Sequence, residues 1–276
     1  MSGKSGSERA VRTGLRDVLS FVWAVGSLVH DRRLTYLAAG VAYYAFVSLI
    51  PLLLLAVAVA SFVGGAALVD YVTAVFNRQL SASGQAGVSR LLTDTTGHGA
   101  ASVVGVATLA WTGSRLFRAL DIAFDEMYAD DVRTSLLEQT RNALVVVAGI
   151  GFAVALAVVA GLVASVLPLA TPLDGPLGTA VLVAVLALAL LPVYYVLPPT
   201  DVSIREVLPG ALVAAVGWVL LQAGFGVYAT NAGRYGAYGI IGAVLLFVTW
   251  LYFASIIVLV GGAVNAVHGN AAPTDP

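Results

Sequence analysis

"RLTYLAAGVAYYAFVSLIPLLLLAVAVASFVGG", residues 33–65, decides the fold. From Leu34 to Val63 it carries no charge, and it is half again as long as the ~20 residues that cross a bilayer as a helix. Tyr36, Gly40, Tyr44, Ser48 and Pro51 follow one another at spacings of four, four, four and three, so they share one helical stripe. Pro51 has no amide hydrogen and leaves the carbonyl of Val47 without its intrahelical partner. Lipid offers that carbonyl nothing, so the stripe is expected to face protein or a wet cavity. Two meanings stay open: a kinked, tightly packed helix, or part of a substrate path lined by Tyr44, Ser48 and Pro51.

Composition extends this reading to the rest of the chain. Apolar residues make up 59% of the 276 and charged residues only 11%, too little polar surface for a soluble domain, so lipid must solvate most of the chain. A net charge of −1 leaves no broad basic face for nucleic acid. The absence of Cys excludes disulfides, thiolate metal sites and cysteine nucleophiles. No compact apolar core followed by a small-residue cleavage site marks a signal peptide.

The expected architecture is all-α: a polytopic membrane protein with six transmembrane helices and an interfacial amphipathic helix at the N-terminus. Residues 1–14 are expected to be a mobile tail, and 15–267 a single transmembrane domain before a polar tail at 268–276. Residues 15–31 read as the interfacial helix, with Leu15, Val18, Leu19, Val22, Val25 and Val29 on one side and Trp23 near its centre. The spans are expected near 34–63, 100–120, 142–167, 177–197, 207–229 and 238–267. Two short amphipathic helices are expected between 66 and 99. The second span is short, with only fourteen uncharged residues before Arg115, so Arg115 either snorkels to the interface or points into the bundle. With six spans the side holding both termini carries eleven Lys and Arg against three on the other, which places the termini in the cytoplasm.

Four ordered stretches carry a family resemblance: "AGVAYYAFVSLIPLLLL", "WTGSRLFRALDIAFDEMY", "REVLPGALVAAVGW" and "YGAYGIIGAVLLFVTWLY". Together they resemble the YihY/BrkB family of six-span inner-membrane proteins, over about residues 20–267. The resemblance implies transport of a lipid-like or small amphiphilic substrate, and it also brings older labels of tRNA-processing ribonuclease and serum-resistance factor. Many members end the sixth span with Gly-Ala-Glu before a hydrophobic residue and Asn. Here the run is Gly261, Gly262, Ala263, Val264, Asn265, so Ala263 stands where an acidic residue is expected. A proton- or cation-linked step that used that carboxylate is done differently in this chain or not at all.

The residues themselves give catalysis little footing. The three His, at 30, 98 and 268, fall in separate segments, and Asp121, Asp125, Glu126, Asp130 and Asp131 read as a solvated helix face and turn. No metal site, catalytic residue or cofactor is expected. No acid is expected inside a span, which argues against a conventional proton-coupled pump. Arg115 and Arg118, one turn apart, could hold a phosphate or carboxylate headgroup at the cytoplasmic mouth of a path, or act as positive-inside anchors. Gly210, Gly217 and Gly224 recur every seven residues, and Gly239 and Gly242 open the sixth span, as expected of close helix packing or of a hinge. The expected partners are therefore the bilayer, a lipid or amphiphile substrate, and membrane proteins or a second copy, without nucleic acid. The competing function is an accessory bundle that packs with partners and moves nothing, with side chains rather than a polar groove at Ser48.

Overall fold

The computed structural model describes residues 4–49, 100–128, 175–232 and 239–271, with single positions at 141, 144 and 145. The described residues form helices and no strand: α1 (Lys4–Asp31), α2 (Leu34–Leu49), α3 (Ala100–Tyr128), α4 (Pro176–Val196), α5 (Ile204–Ala232) and α6 (Gly239–Ala271). Among them three stretches are long and apolar enough to cross a membrane: Gly178–Val196, Ile204–Val227 and Val244–Gly269. They overlap the expected fourth, fifth and sixth spans. The first expected span is described only as far as Leu49. Pro51, the 66–99 connection and, but for Leu144 and Val145, the third span lie outside the described residues.

The α5–α6 pair is the centre of the bundle, and its sequence is inside out relative to a soluble helix pair. Val207, Gly210, Ala211, Ala214 and Ala215 are the buried positions of α5, whereas Leu208, Leu212, Val213, Val216 and Leu220 are exposed. Small residues face inward because packing between membrane helices gains from close backbone approach, while large apolar side chains are as well solvated by lipid as by protein. Most residues in the apolar stretch of α6 are not buried, so most of its surface needs lipid contact. α4 packs along α5 and contributes Ala187, Val193, Tyr194 and Leu197 to the core. Toward the N-terminal half of α6, aromatic rings link three helices: Phe46 of α2 meets Phe247 at 6.3 Å, Phe247 stacks on Trp250 at 6.0 Å, and Trp250 meets Trp218 of α5 edge-on at 5.4 Å.

α1 starts at Lys4, so residues 4–14 extend the helix where the sequence suggested a mobile tail. No Pro interrupts them, and Gly6 and Gly14 cost only ~1 kcal/mol each relative to Ala. The apolar residues of α1 divide between two surfaces. Phe21, Val25, Leu28 and Val29 pack on the core, while Val18, Leu19, Val22 and Trp23 stay exposed, as an interfacial helix against a bundle requires. The chain then reverses at Arg33, whose φ of 50° is left-handed. The Arg32 and Arg33 amides close α1 on the carbonyls of Leu28 and His30, at 3.0 and 3.1 Å, and the Tyr36 amide donates back to Arg33 at 2.9 Å. A left-handed non-glycine costs ~1 kcal/mol. An ion pair from Arg32 Nη1 to Glu126 Oε1 of α3, 3.3 Å, and the burial of Leu34 hold the turn.

The α2 stripe does not face protein along its whole length. Tyr36 is 78% exposed, and a Cβ on Gly40 would meet nothing within 4 Å. The inward positions of α2 are instead Leu34, Ala38, Val41, Ala42 and Ser48.

Candidate functional site

Pro209 is the sixth residue of α5 and has no amide to give the Arg205 carbonyl. Next to that break, α5 takes two bonds from outside the helix. The Gly210 amide donates to Asn265 Oδ1 at 2.7 Å, and Asn265 Nδ2 donates to the Val207 carbonyl at 3.1 Å. A single buried carboxamide of α6 thus serves one donor and one acceptor on the α5 backbone, as buried polar groups require.

Glycines allow this approach. A Cβ on Gly210 would collide with the Gly261 carbonyl oxygen and with the Asn265 carboxamide, and one on Gly261 would strike the Tyr194 hydroxyl. Tyr194 is fully buried, donates to the Val258 carbonyl at 2.8 Å and packs on Phe124 at 6.0 Å. Gly262 admits Met127 and Phe124 of α3, whose Sδ and Cζ would lie 3.1 and 3.2 Å from a Cβ there. So α3, α4, α5 and α6 converge at one level. Of the other glycines singled out, Gly217 lies against Ile257, Gly224 opens onto empty space, Gly239 begins α6 and Gly242 is half-buried.

Beyond Asn265, toward the end of α6, a cleft of about 200 Å³ opens between α3, α5, α6 and the α4–α5 connection. Tyr128, Thr200, Asp201, Glu206, Asn265 and Gly269 give it a polar lining. Glu206 is held by a capping box: its amide donates to Ser203 Oγ at 3.4 Å, and the Ser203 amide donates to Glu206 Oε2 at 3.2 Å. Burial, with the Glu206 carboxylate nearby, pushes the Tyr128 phenol up to about 12, so it remains a protonated donor at neutral pH. Replacing Ser203 with Ala should cost about 1 kcal/mol. A lowered unfolding midpoint in detergent, with Glu206→Gln lowering it less, is the expected result.

The residues singled out from sequence are spread more widely than one pocket. Tyr44 is half-buried with its ring edge-on to Tyr43 at 5.3 Å. Ser48 is 8% exposed, and its hydroxyl donates to the Ala45 carbonyl at 2.8 Å. Arg115 and Arg118 are exposed on α3, with the Arg115 guanidinium 5.6 Å from the Trp111 ring centre. No hydrogen bond among the described residues joins the α2 positions to these arginines.

The acidic run of α3 needs correction as a solvated face. Asp121 is only 5% exposed, on the side of α3 that buries Phe124, so the protein does hold a buried carboxylate next to the spans. Glu126 points away from it to Arg32, and among the described residues no three His, Asp or Glu side chains come together. Sequence reading assigned no role to Pro209, Glu206 or the Asn265 side chain. The signals were present: Ser203 and Glu206 have capping-box spacing before an apolar run, and Asn265 is the one carboxamide between Val244 and Val267.

Comparison with known proteins agrees with this architecture. UPF0761 membrane protein PBPRA3489 of Photobacterium profundum is 24% identical over 267 residues, 93% of this chain and 83% of that one. YfkH of Bacillus subtilis, named as ribonuclease-like, is 33% identical over 84 residues, 30% of each chain. A UPF0761 membrane protein of Aeromonas salmonicida is 36% identical over 84 residues, 30% of this chain and 29% of its own. The matched segment thus spans less than a third of the length of the latter two relatives. No solved structure matches the chain. The family model described as virulence factor BrkB matches residues 27–276, and with that match over nearly the whole length the chain belongs to the BrkB family of membrane proteins.

Proposed function

We propose that this protein moves a lipid-like or small amphiphilic molecule across the cytoplasmic membrane, with both termini in the cytoplasm. The observation that carries the reading is the polar cleft. It opens where the ends of α3 and α6 meet the start of α5, and α5 and α6 are apolar enough to span a bilayer. A polar cleft at the mouth of spanning helices suits the head of an amphiphile whose chains stay in lipid. Tyr44, Ser48 and Pro51 on one side and Arg115 and Arg118 on the other extend the path in this proposal. The ribonuclease-like name of the Bacillus subtilis relative does not transfer to this chain, since its match covers 30% of that protein and Asp121 and Glu126 point to different surroundings.

A second reading, an accessory bundle that packs with membrane partners or a second copy, is favoured by the closed environment of Ser48 and by the open space at Gly224. Reconstitution separates the two. The full chain in liposomes should move fluorescent lipids between leaflets. Gly269→Trp, which has room because no atom lies within 4 Å of a Cβ there, should fill the cleft and slow movement at least ~10-fold. Ser48→Leu should slow it too if α2 lines the path. No movement of any lipid or solute by the wild-type chain would overturn the transport reading in favour of the accessory one.

A further inference from the structure

Trp111, Arg115, Arg118 and Ile122 are spaced four, three and four residues apart, so they form one strip along α3. All are exposed, Trp111 at 58% and Ile122 at 50%, whereas Thr112, Asp121, Phe124 and Met127 are buried on the other side. Phe124 and Met127 pin α3 against Gly262, inside the apolar stretch of α6. Arg118 lies six residues before Phe124 and Arg115 nine, so ~9 and ~14 Å back along the helix. Both cations are therefore on the span side of that packing. The contact with Trp111 draws the Arg115 guanidinium back toward the start of α3, away from the Tyr128 end where it would snorkel out with the chain. Among the described residues neither arginine has a carboxylate within ion-pair distance. Glu126, further along α3, is committed to Arg32. Two exposed cations on adjacent turns beside the spans are suited to an anion from outside the protein.

We propose that this strip holds the phosphate headgroup of an anionic phospholipid. The two guanidiniums, on adjacent turns, take the phosphate oxygens, and Trp111 and Ile122 lie along the attached chains. The inference rests on the transport reading in one respect: the lipid bound here is the class of molecule moved. Full-length protein in nanodiscs of phosphatidylcholine with a minor share of phosphatidylglycerol tests it, with retained lipid counted by native mass spectrometry. The wild type should enrich phosphatidylglycerol ~10-fold or more over its share. The pair Arg115→Gln and Arg118→Gln should abolish the enrichment at an unchanged unfolding midpoint, and Arg205→Gln, off the strip, should keep it. An unenriched wild type, a double variant that still enriches, or displacement of the lipid by inorganic phosphate would each overturn the assignment. Lost enrichment with lipid movement intact overturns this site alone. Intact enrichment with no movement of any lipid overturns the transport reading and leaves the headgroup site standing.

Discussion

Gly210→Ala is expected to destabilise the protein by about 3 kcal/mol or more, through a single methyl group. The new carbon would run into the Gly261 carbonyl oxygen and the Asn265 carboxamide. Backbone oxygen in the middle of a helix cannot swing aside as a flexible side chain can, so α5 and α6 must separate. Separation in turn lengthens both Asn265 hydrogen bonds, which adds the loss of buried polar pairing to the steric term. Gly224→Ala is the matched control. It lies on the same helix, meets nothing within 4 Å, and should gain up to ~1 kcal/mol from helix propensity. Thermal unfolding in one detergent compares the two, and equal midpoints would refute the close approach at Gly210.

Asn265→Leu should be nearly as severe, at about 2–5 kcal/mol, for a different reason. The side chain is similar in size, but the Gly210 amide and the Val207 carbonyl both lose their bond to the carboxamide. Asn265→Asp keeps the shape yet puts a carboxylate against the Val207 carbonyl. With no donor left for that carbonyl, Asn265→Asp should destabilise at least as much as Asn265→Leu. Pro209→Ala supplies the cross-check. Restoring an amide at that position gives the Arg205 carbonyl its intrahelical partner but serves neither atom that Asn265 bonds, so Asn265→Leu should cost about as much in that background as alone.

The membrane bundle was legible because bilayer thickness sets a length scale that Leu34–Val63 and the later apolar runs meet without reference to a partner. The small residues of α5 were legible as a strip for the same kind of reason, since helical spacing decides which residues share a face. Spacing does not decide what that face meets. Gly210 and Gly224 look alike in sequence, yet one abuts a backbone carbonyl and the other empty space. Asp121 looked solvated because its neighbours in sequence are charged, whereas its burial comes from the packing of α3 on α6 through Phe124 and Met127. Tyr36 and Gly40 failed in the opposite sense: a tidy polar stripe on α2 turns partly outward. The Asn265 joint was least legible, because its parts lie more than fifty residues apart in the chain.

That joint bears on how the protein is made. A chain emerging from the ribosome completes α5 before α6 exists. Until Asn265 arrives, α5 lacks the two bonds that the carboxamide makes to its backbone beside Pro209. α5 is therefore poorly suited to leave the insertion machinery alone, and the two helices are matched to enter the bilayer as a hairpin. The carboxamide of α6 then completes the packing of α5, so the later-made helix of the pair decides how well the earlier one is held.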